Sequence, residues 1–266
     1  MKKSLALFVA LAALALPMSA QAHRAWLAPT STVLSGTEAW VSFDAGMSNG
    51  VFIPDHAAMN LAGLVITAPD GSTAAPENMM RGRYRSTFDL HLTRPGTWKV
   101  ANVTGGVMVS YKQGGEQKRW RGAEADMAAN IPADATEVVA TRTFSRVETF
   151  VTLGEPSVSA LTPTGEGIEL VPVTHPNDLV VGEAATFKLV RDGRPAAGLD
   201  VTIARGGSRY RDNPEEITVR TGSDGAFTVT WPGSGMYWMN ASVRSPASGD
   251  QPAYSAQYNG VVEVLP

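Results

Sequence analysis

Apolar and polar residues alternate along most of this chain. In Phe88-Asp89-Leu90-His91-Leu92 every second side chain is apolar, and a similar rhythm runs through Ala184–Val190. A period of two sends alternate side chains to opposite faces of an extended backbone, so such segments predict half-buried strands. In the first half, strands are expected over Arg24–Ala28, Glu38–Asp44, Leu61–Ala68, Ser86–Leu92, Thr97–Val103, Val107–Lys112 and Phe144–Leu153. In the second half they are expected over Ile168–Val173, Ala184–Val190, Asp200–Ala204, Glu216–Arg220, Phe227–Trp231, Gly235–Val243 and Tyr254–Val264. Gly114-Gly115 suits a tight hairpin turn in Ser110–Trp120. Asp192-Gly193 with Pro195, and Ser223-Asp224-Gly225, carry turn chemistry as well. Only Ala123–Asn130, ahead of Pro132, reads as a short helix.

The stretch 154–167 is rich in Gly, Pro, Ser and Thr and reads as a linker. The expected fold is all-β. An N-terminal β-sandwich occupies 23–153, and an immunoglobulin-like β-sandwich occupies 168–266, because about seven short strands separated by turns fit that architecture.

Residues 1–22 are read differently. Met1-Lys2-Lys3 is basic, Leu5 to Leu16 is apolar, and Ser19-Ala20-Gln21-Ala22 has the small residues of a cleavage site. That order describes a secretory signal peptide. The apolar run is shorter than the roughly 20 residues of a membrane-spanning helix, and no later stretch reaches that length. Cleavage after Ala22 would leave a periplasmic protein that begins with His23 and has no membrane insertion. Cysteine is absent, which removes thiolate metal ligands, thiol nucleophiles and redox pairs. A chain of this length buries a core without disulfides. The formal charge is −3, and losing Lys2 and Lys3 makes the remainder more acidic, so nothing attracts it to nucleic acid or anionic lipid.

His23-Arg24-Ala25-Trp26-Leu27-Ala28-Pro29, at the expected mature start, resembles the opening of a bacterial periplasmic group, the domain-of-unknown-function family 4198. The similarity continues in Leu170-Val171-Pro172-Val173-Thr174 with Pro176, Gly182-Glu183, Asp192-Gly193-Arg194-Pro195, Thr221–Phe227 and Gly235-Met236-Tyr237-Trp238. Members are often labelled as periplasmic components of cobalt or nickel transport, so the resemblance implies an exported β fold and a connection with those metals.

The candidate chemistry centres on His23. A terminal histidine offers two nitrogens, its α-amine and its imidazole, and the amine deprotonates at modest cost when a metal competes for it. One further imidazole would complete the three-nitrogen arrangement called a histidine brace. Such a donor set favours copper, with nickel and zinc behind, while the resemblance favours nickel or cobalt. Only four histidines exist, and the plain alternative is a histidine left at the cleavage point by chance. His56 is one expected partner. It follows Asp55, which would ligate or orient the ring, and the competing reading is a solvent-exposed loop residue. His91 is the other, sharing the polar face of its strand with Asp89 and Thr87, where the competing reading is an ordinary outer face. His175, before Pro176, reads as a turn residue outside the site. Met79-Met80, in an expected loop, offers thioethers suited to Cu(I). Arg209, Tyr210, Arg211 and Asp212 form a polar-aromatic loop, and Trp120 is the tryptophan expected to be exposed.

No nucleophile elbow, HExxH helix, phosphate-binding loop or dinucleotide fingerprint occurs, and the carboxylate pairs (Glu215-Glu216, Glu124 and Asp126) specify no glycosidase. The expected function is non-enzymatic. It is a periplasmic metal-binding or metal-delivery accessory protein whose cofactor is a copper, nickel or cobalt ion held by His23, His56 and His91. One rival is a β-sandwich interaction module for an envelope receptor or transporter. The other is a copper monooxygenase, which would need a flat aromatic surface that the sequence does not suggest.

Overall fold

The structure, a computed structural model, describes residues 23–210, 215–249 and 251–266; the expected signal peptide and the Arg211-Asp212 part of the polar loop lie outside them. The first half holds β1 (Arg24–Pro29), β2 (Val33–Leu34), β3 (Ala39–Ser48), β4 (Ala57–Ala58), β5 (Leu64–Thr67), β6 (Thr73–Ala74), β7 (Glu77–Arg81), β8 (Ser86–Leu92), β9 (Gly96–Gln113), β10 (Glu116–Gly122), α1 (Met127–Asn130) and β11 (Thr136–Leu153). The second half holds β12 (Ile168–Pro172), β13 (Ala184–Arg191), β14 (Arg194–Pro195), β15 (Asp200–Arg205), β16 (Ile217–Arg220), β17 (Ala226–Thr230), β18 (Gly235–Ser245) and β19 (Ala253–Val264). The fold is all-β and is built as two sandwiches, the second with the immunoglobulin-like character expected from its short strands.

The sandwiches share one sheet. A ten-stranded sheet runs β16-β15-β18-β19-β11-β9-β5-β6, with β10 and β2 alongside it. A five-stranded sheet, β1-β3-β8-β7 with β4 on β3, covers it at one end, and a four-stranded sheet of β12, β13, β14 and β17 covers it at the other. The join is a parallel pairing of β11 with β19, from Thr141↔Ala253 to Thr149↔Val261. The halves are thus hydrogen-bonded along a common ladder in addition to the 154–167 connection.

Each sandwich closes over its own core. Leu27, Val41, Phe43, Phe88, Leu90, Trp98 and Val151 fill the first. Phe187, Leu189, Phe227, Trp231, Tyr237, Met239 and Val262 fill the second. A small third cluster of Trp26, Val51, Ala204, Trp238 and Val261 lies where β1 crosses the shared sheet. Beyond the sandwiches β9, β10 and the start of β11 continue as an arm, with Val107, Val109, Tyr111 and half-buried Trp120 packed inside it. Trp120 is therefore less exposed than its arginine neighbours suggested, and Trp40 is the tryptophan that faces solvent.

The expected turns form. Gly114 and Gly115 have φ of 58° and 83°, and Asp192 and Gly193 have 50° and 74°, the pair of positive values that a two-residue hairpin of the primed type requires. Met79 and Met80 lie in strand β7 rather than a loop.

Candidate metal centre

His23 precedes β1, and His56 sits at the end of the loop from β3 to β4. The structure brings these two together. Their rings stack with centroids 3.5 Å apart and planes within 9° of parallel, and both residues are exposed.

Three features fix the approach. First, β1 pairs with β3 in the register Arg24↔Ser48 to Pro29↔Phe43, so His23 emerges beside the start of the 49–56 loop. Second, Arg24 is anchored: its guanidinium pairs with the Glu216 carboxylate and lies 5.0 Å over the Trp238 ring. The Trp238 indole N–H donates to the Ala25 carbonyl at 2.8 Å, while the Trp26 indole N–H donates to Ser48 Oγ at 2.7 Å. A Cβ on Gly46 would stand 2.8 Å from the Trp26 indole, so glycine there is what lets that ring lie flat on β3. Third, the loop is stiffened from within. Asp55 accepts from the Asn49 backbone N–H at 2.9 Å and from its side-chain amide at 3.4 Å. Asp55 therefore shapes the loop that carries His56.

His91 does not join them. It lies opposite Trp40 in the β3–β8 register, whereas Arg24 lies opposite Ser48. Eight residues of β3 separate those positions, about 26 Å at 3.3 Å per residue. His91 stacks on the Trp40 ring at 4.4 Å and faces Glu38 Oε2 at 3.5 Å. The alternation correctly gave its face, since β8 buries Ser86, Phe88, Leu90 and Leu92 and half-exposes the residues between. The expected trio reduces to a pair with one histidine at the far end of the sheet.

Among the described residues no group of three or more His, Cys, Asp or Glu side chains converges on a point. The donor set on hand is two imidazoles; the His23 amine would join them only under the cleavage expected from the sequence. Both rings cannot hold one ion while stacked, because an imidazole nitrogen directs its lone pair in the ring plane and parallel planes 3.5 Å apart share no such point. One ring must rotate about its side-chain torsions, which two exposed side chains are free to do.

The family described as a domain of unknown function, DUF4198, matches residues 20–245. The chain belongs to it. No curated protein matches in sequence. Among solved structures, this DUF4198 chain is 10% identical to a DUF4785 family protein from Legionella pneumophila, covering 89% of itself and 55% of that protein, with a TM-score of 0.24. It therefore spans about half of that protein's length. It is 14% identical to the D0–D1 domain of intimin (90% and 97% covered, TM-score 0.24) and 10% identical to a marsupial T cell receptor (91% and 74%, 0.20).

Two buried polar assemblies escaped the sequence reading. Arg146, Glu148 and Glu169 are each 2–3% exposed. Arg146 pairs with Glu169 at 3.0 Å and with Glu148 at 3.6 Å. Glu169 also accepts from the backbone N–H groups of Thr164 and Gly165. Lys99 completes the charge balance and donates to the Thr162 carbonyl. Burial pushes the Glu148 carboxyl above its usual range while Arg146 and Lys99 pull it down, and burial holds the Lys99 ammonium below its own. Burial and the Glu148 charge keep the Tyr258 phenol well above its ordinary value. The second assembly is built on His175, which was read as a turn residue. Its Nδ1 accepts from the Asn177 N–H at 3.2 Å, which leaves the proton on Nε2, 3.3 Å from the Ser157 carbonyl and 3.0 Å from Thr97 Oγ1. Burial lowers its pKa. Thr97, Thr152 and Asn177 continue the network between the halves.

Proposed function

We propose that this DUF4198 chain is an exported, non-enzymatic metal-binding or metal-delivery accessory protein of the periplasm. Its ion would be copper, nickel or cobalt, held by His23 and His56. The observation that carries this reading is the meeting of two of only four histidines, 33 positions apart, at the rim of an otherwise anchored sheet. Removal of residues 1–22 would free the His23 amine and make three nitrogens available in one place. Anchoring of Arg24 by Glu216 and Trp238 holds that terminus in position for capture. The pair is open to solvent, which suits an ion that is taken up and passed on.

The test is native mass spectrometry of the exported protein with Cu(II), Ni(II) and Co(II). The expected result is a mass beginning at His23 and one bound ion, lost in His23→Ala and in His56→Ala and kept in His91→Ala. A different mature start, or no stoichiometric ion, removes this reading and leaves a β-sandwich interaction module for an envelope receptor or transporter.

A further inference from the structure

We infer that the chain carries a second metal site, for a soft monovalent cation such as Cu(I), built from the thioethers of Met59, Met79 and Met80. All three line one cavity of about 270 Å³ at the β7 edge of the five-stranded sheet, with Asn60, Leu61 and Ser86 among the other wall residues.

The backbone explains why they converge. Consecutive residues of a regular strand point to opposite faces, so Met79 and Met80 would ordinarily part. Strand β7 is irregular between Glu77↔Asp89 and Met80↔Thr87, and Asn78 has a φ of 51°. Such a bulge breaks the strict alternation ahead of Met80, and both methionines line the cavity. Met59 forms its inner wall. The Met59 N–H donates to the Ala45 carbonyl, and its carbonyl accepts from Ser86 Oγ at 2.7 Å, which ties it to β3 and β8. Met59 is 4% exposed, whereas Met79 and Met80 are 53% and 71% exposed. One buried methionine of the cavity wall is thus joined by two exposed ones.

The donor chemistry selects the ion. Thioethers are soft and uncharged, and they suit Cu(I) over hard divalent ions. No histidine or carboxylate lines the cavity, and its one charged residue is the exposed Arg81, whose long stem lets the guanidinium turn to water. A thioether has no proton to lose in the ordinary pH range, so binding here needs none released, unlike binding to imidazoles. Neither His23 nor His56 lines this cavity, so its donors are distinct from the imidazole pair.

The test titrates the full-length exported protein with Ag(I), and with Cu(I) buffered by a chromogenic chelator, at pH 5 and pH 7. One soft ion per chain is expected, with little change between the two pH values. Met79→Leu/Met80→Leu, which changes only exposed side chains, should weaken it at least tenfold, as should Met59→Leu. The double variant His23→Ala/His56→Ala should keep it. X-ray absorption of the Cu(I) form should show sulfur neighbours. Unchanged affinity in the Met79→Leu/Met80→Leu variant, or soft-ion binding that vanishes with the histidines, would overturn the proposal.

Discussion

Replacing Arg146 with methionine should expose how much the buried charges depend on one guanidinium. The side chain is 3% exposed and 3.0 Å from Glu169. At an effective dielectric constant near 20, unit charges about 3 Å apart attract by about 5 kcal/mol. The loss cannot reach that figure, because a carboxyl stripped of its partner takes up a proton instead. At pH 7 that uptake costs about 1.4 kcal/mol for each unit above an ordinary carboxylate value near 4.3, or about 4 kcal/mol. The variant should therefore lose about 3–4 kcal/mol at pH 7, in the range found when one partner of a buried pair is removed. The pH dependence has a definite sign. The folded variant would hold a proton that its unfolded chain has released, so its stability rises on acidification. At about 1.4 kcal/mol per unit, the deficit should shrink to about 1 kcal/mol at pH 5. Urea unfolding at both pH values, followed through Trp98 in one core and Trp231 in the other, would measure it. A deficit under about 1 kcal/mol at pH 7, or one that stays constant with pH, refutes the reasoning.

Wild-type stability should fall as the pH drops below about 6.5, where the unfolded His175 gains a proton that the buried ring resists; His175→Gln should flatten this dependence in denaturant midpoints. Gly46→Ala should drive a methyl into the Trp26 indole, costing about 1–3 kcal/mol as an overpacked contact, and unfolding midpoints of the purified variant would show it. Arg24→Gln removes the link to Glu216 and Trp238, so it should weaken metal binding at His23 more than it lowers thermal stability, a contrast that calorimetric titration and melting together would reveal.

Elements governed by local chemistry were legible in the sequence. The faces of β8 followed from its alternation, and Asp192-Gly193 turned as its residue types require. Features set by long-range pairing were not. A break was expected near Thr104-Gly105-Gly106, yet β9 runs through it because β11 pairs with it from Gly96 to Lys112. Periodicity assigns His91 a face but no position along the sheet. The distance from His91 to His23 depends on the β3 register, which no local pattern encodes. Arg146 and Glu148 alternate with Val147 as charges on a solvated face would. They are buried because β12 and the segment around Thr164 cover that face, which the strand's own residues do not announce.

The parallel pairing of β11 with β19 also sets an order of assembly. Residues 253–264 are needed to flank a strand of the first sandwich, and the segment between β1 and β2 is tied to that same late strand: Thr32 donates to the Glu263 carboxylate, 231 positions away. Contacts between such distant segments form slowly. A chain that becomes available with its first residues leading would therefore hold its first sandwich incomplete, with Trp26 accessible, until its last strands had appeared. In that interval a protease or a chaperone would meet β11 with one edge unpaired, and Trp26 would wait for Trp238 and Val261 to cover it.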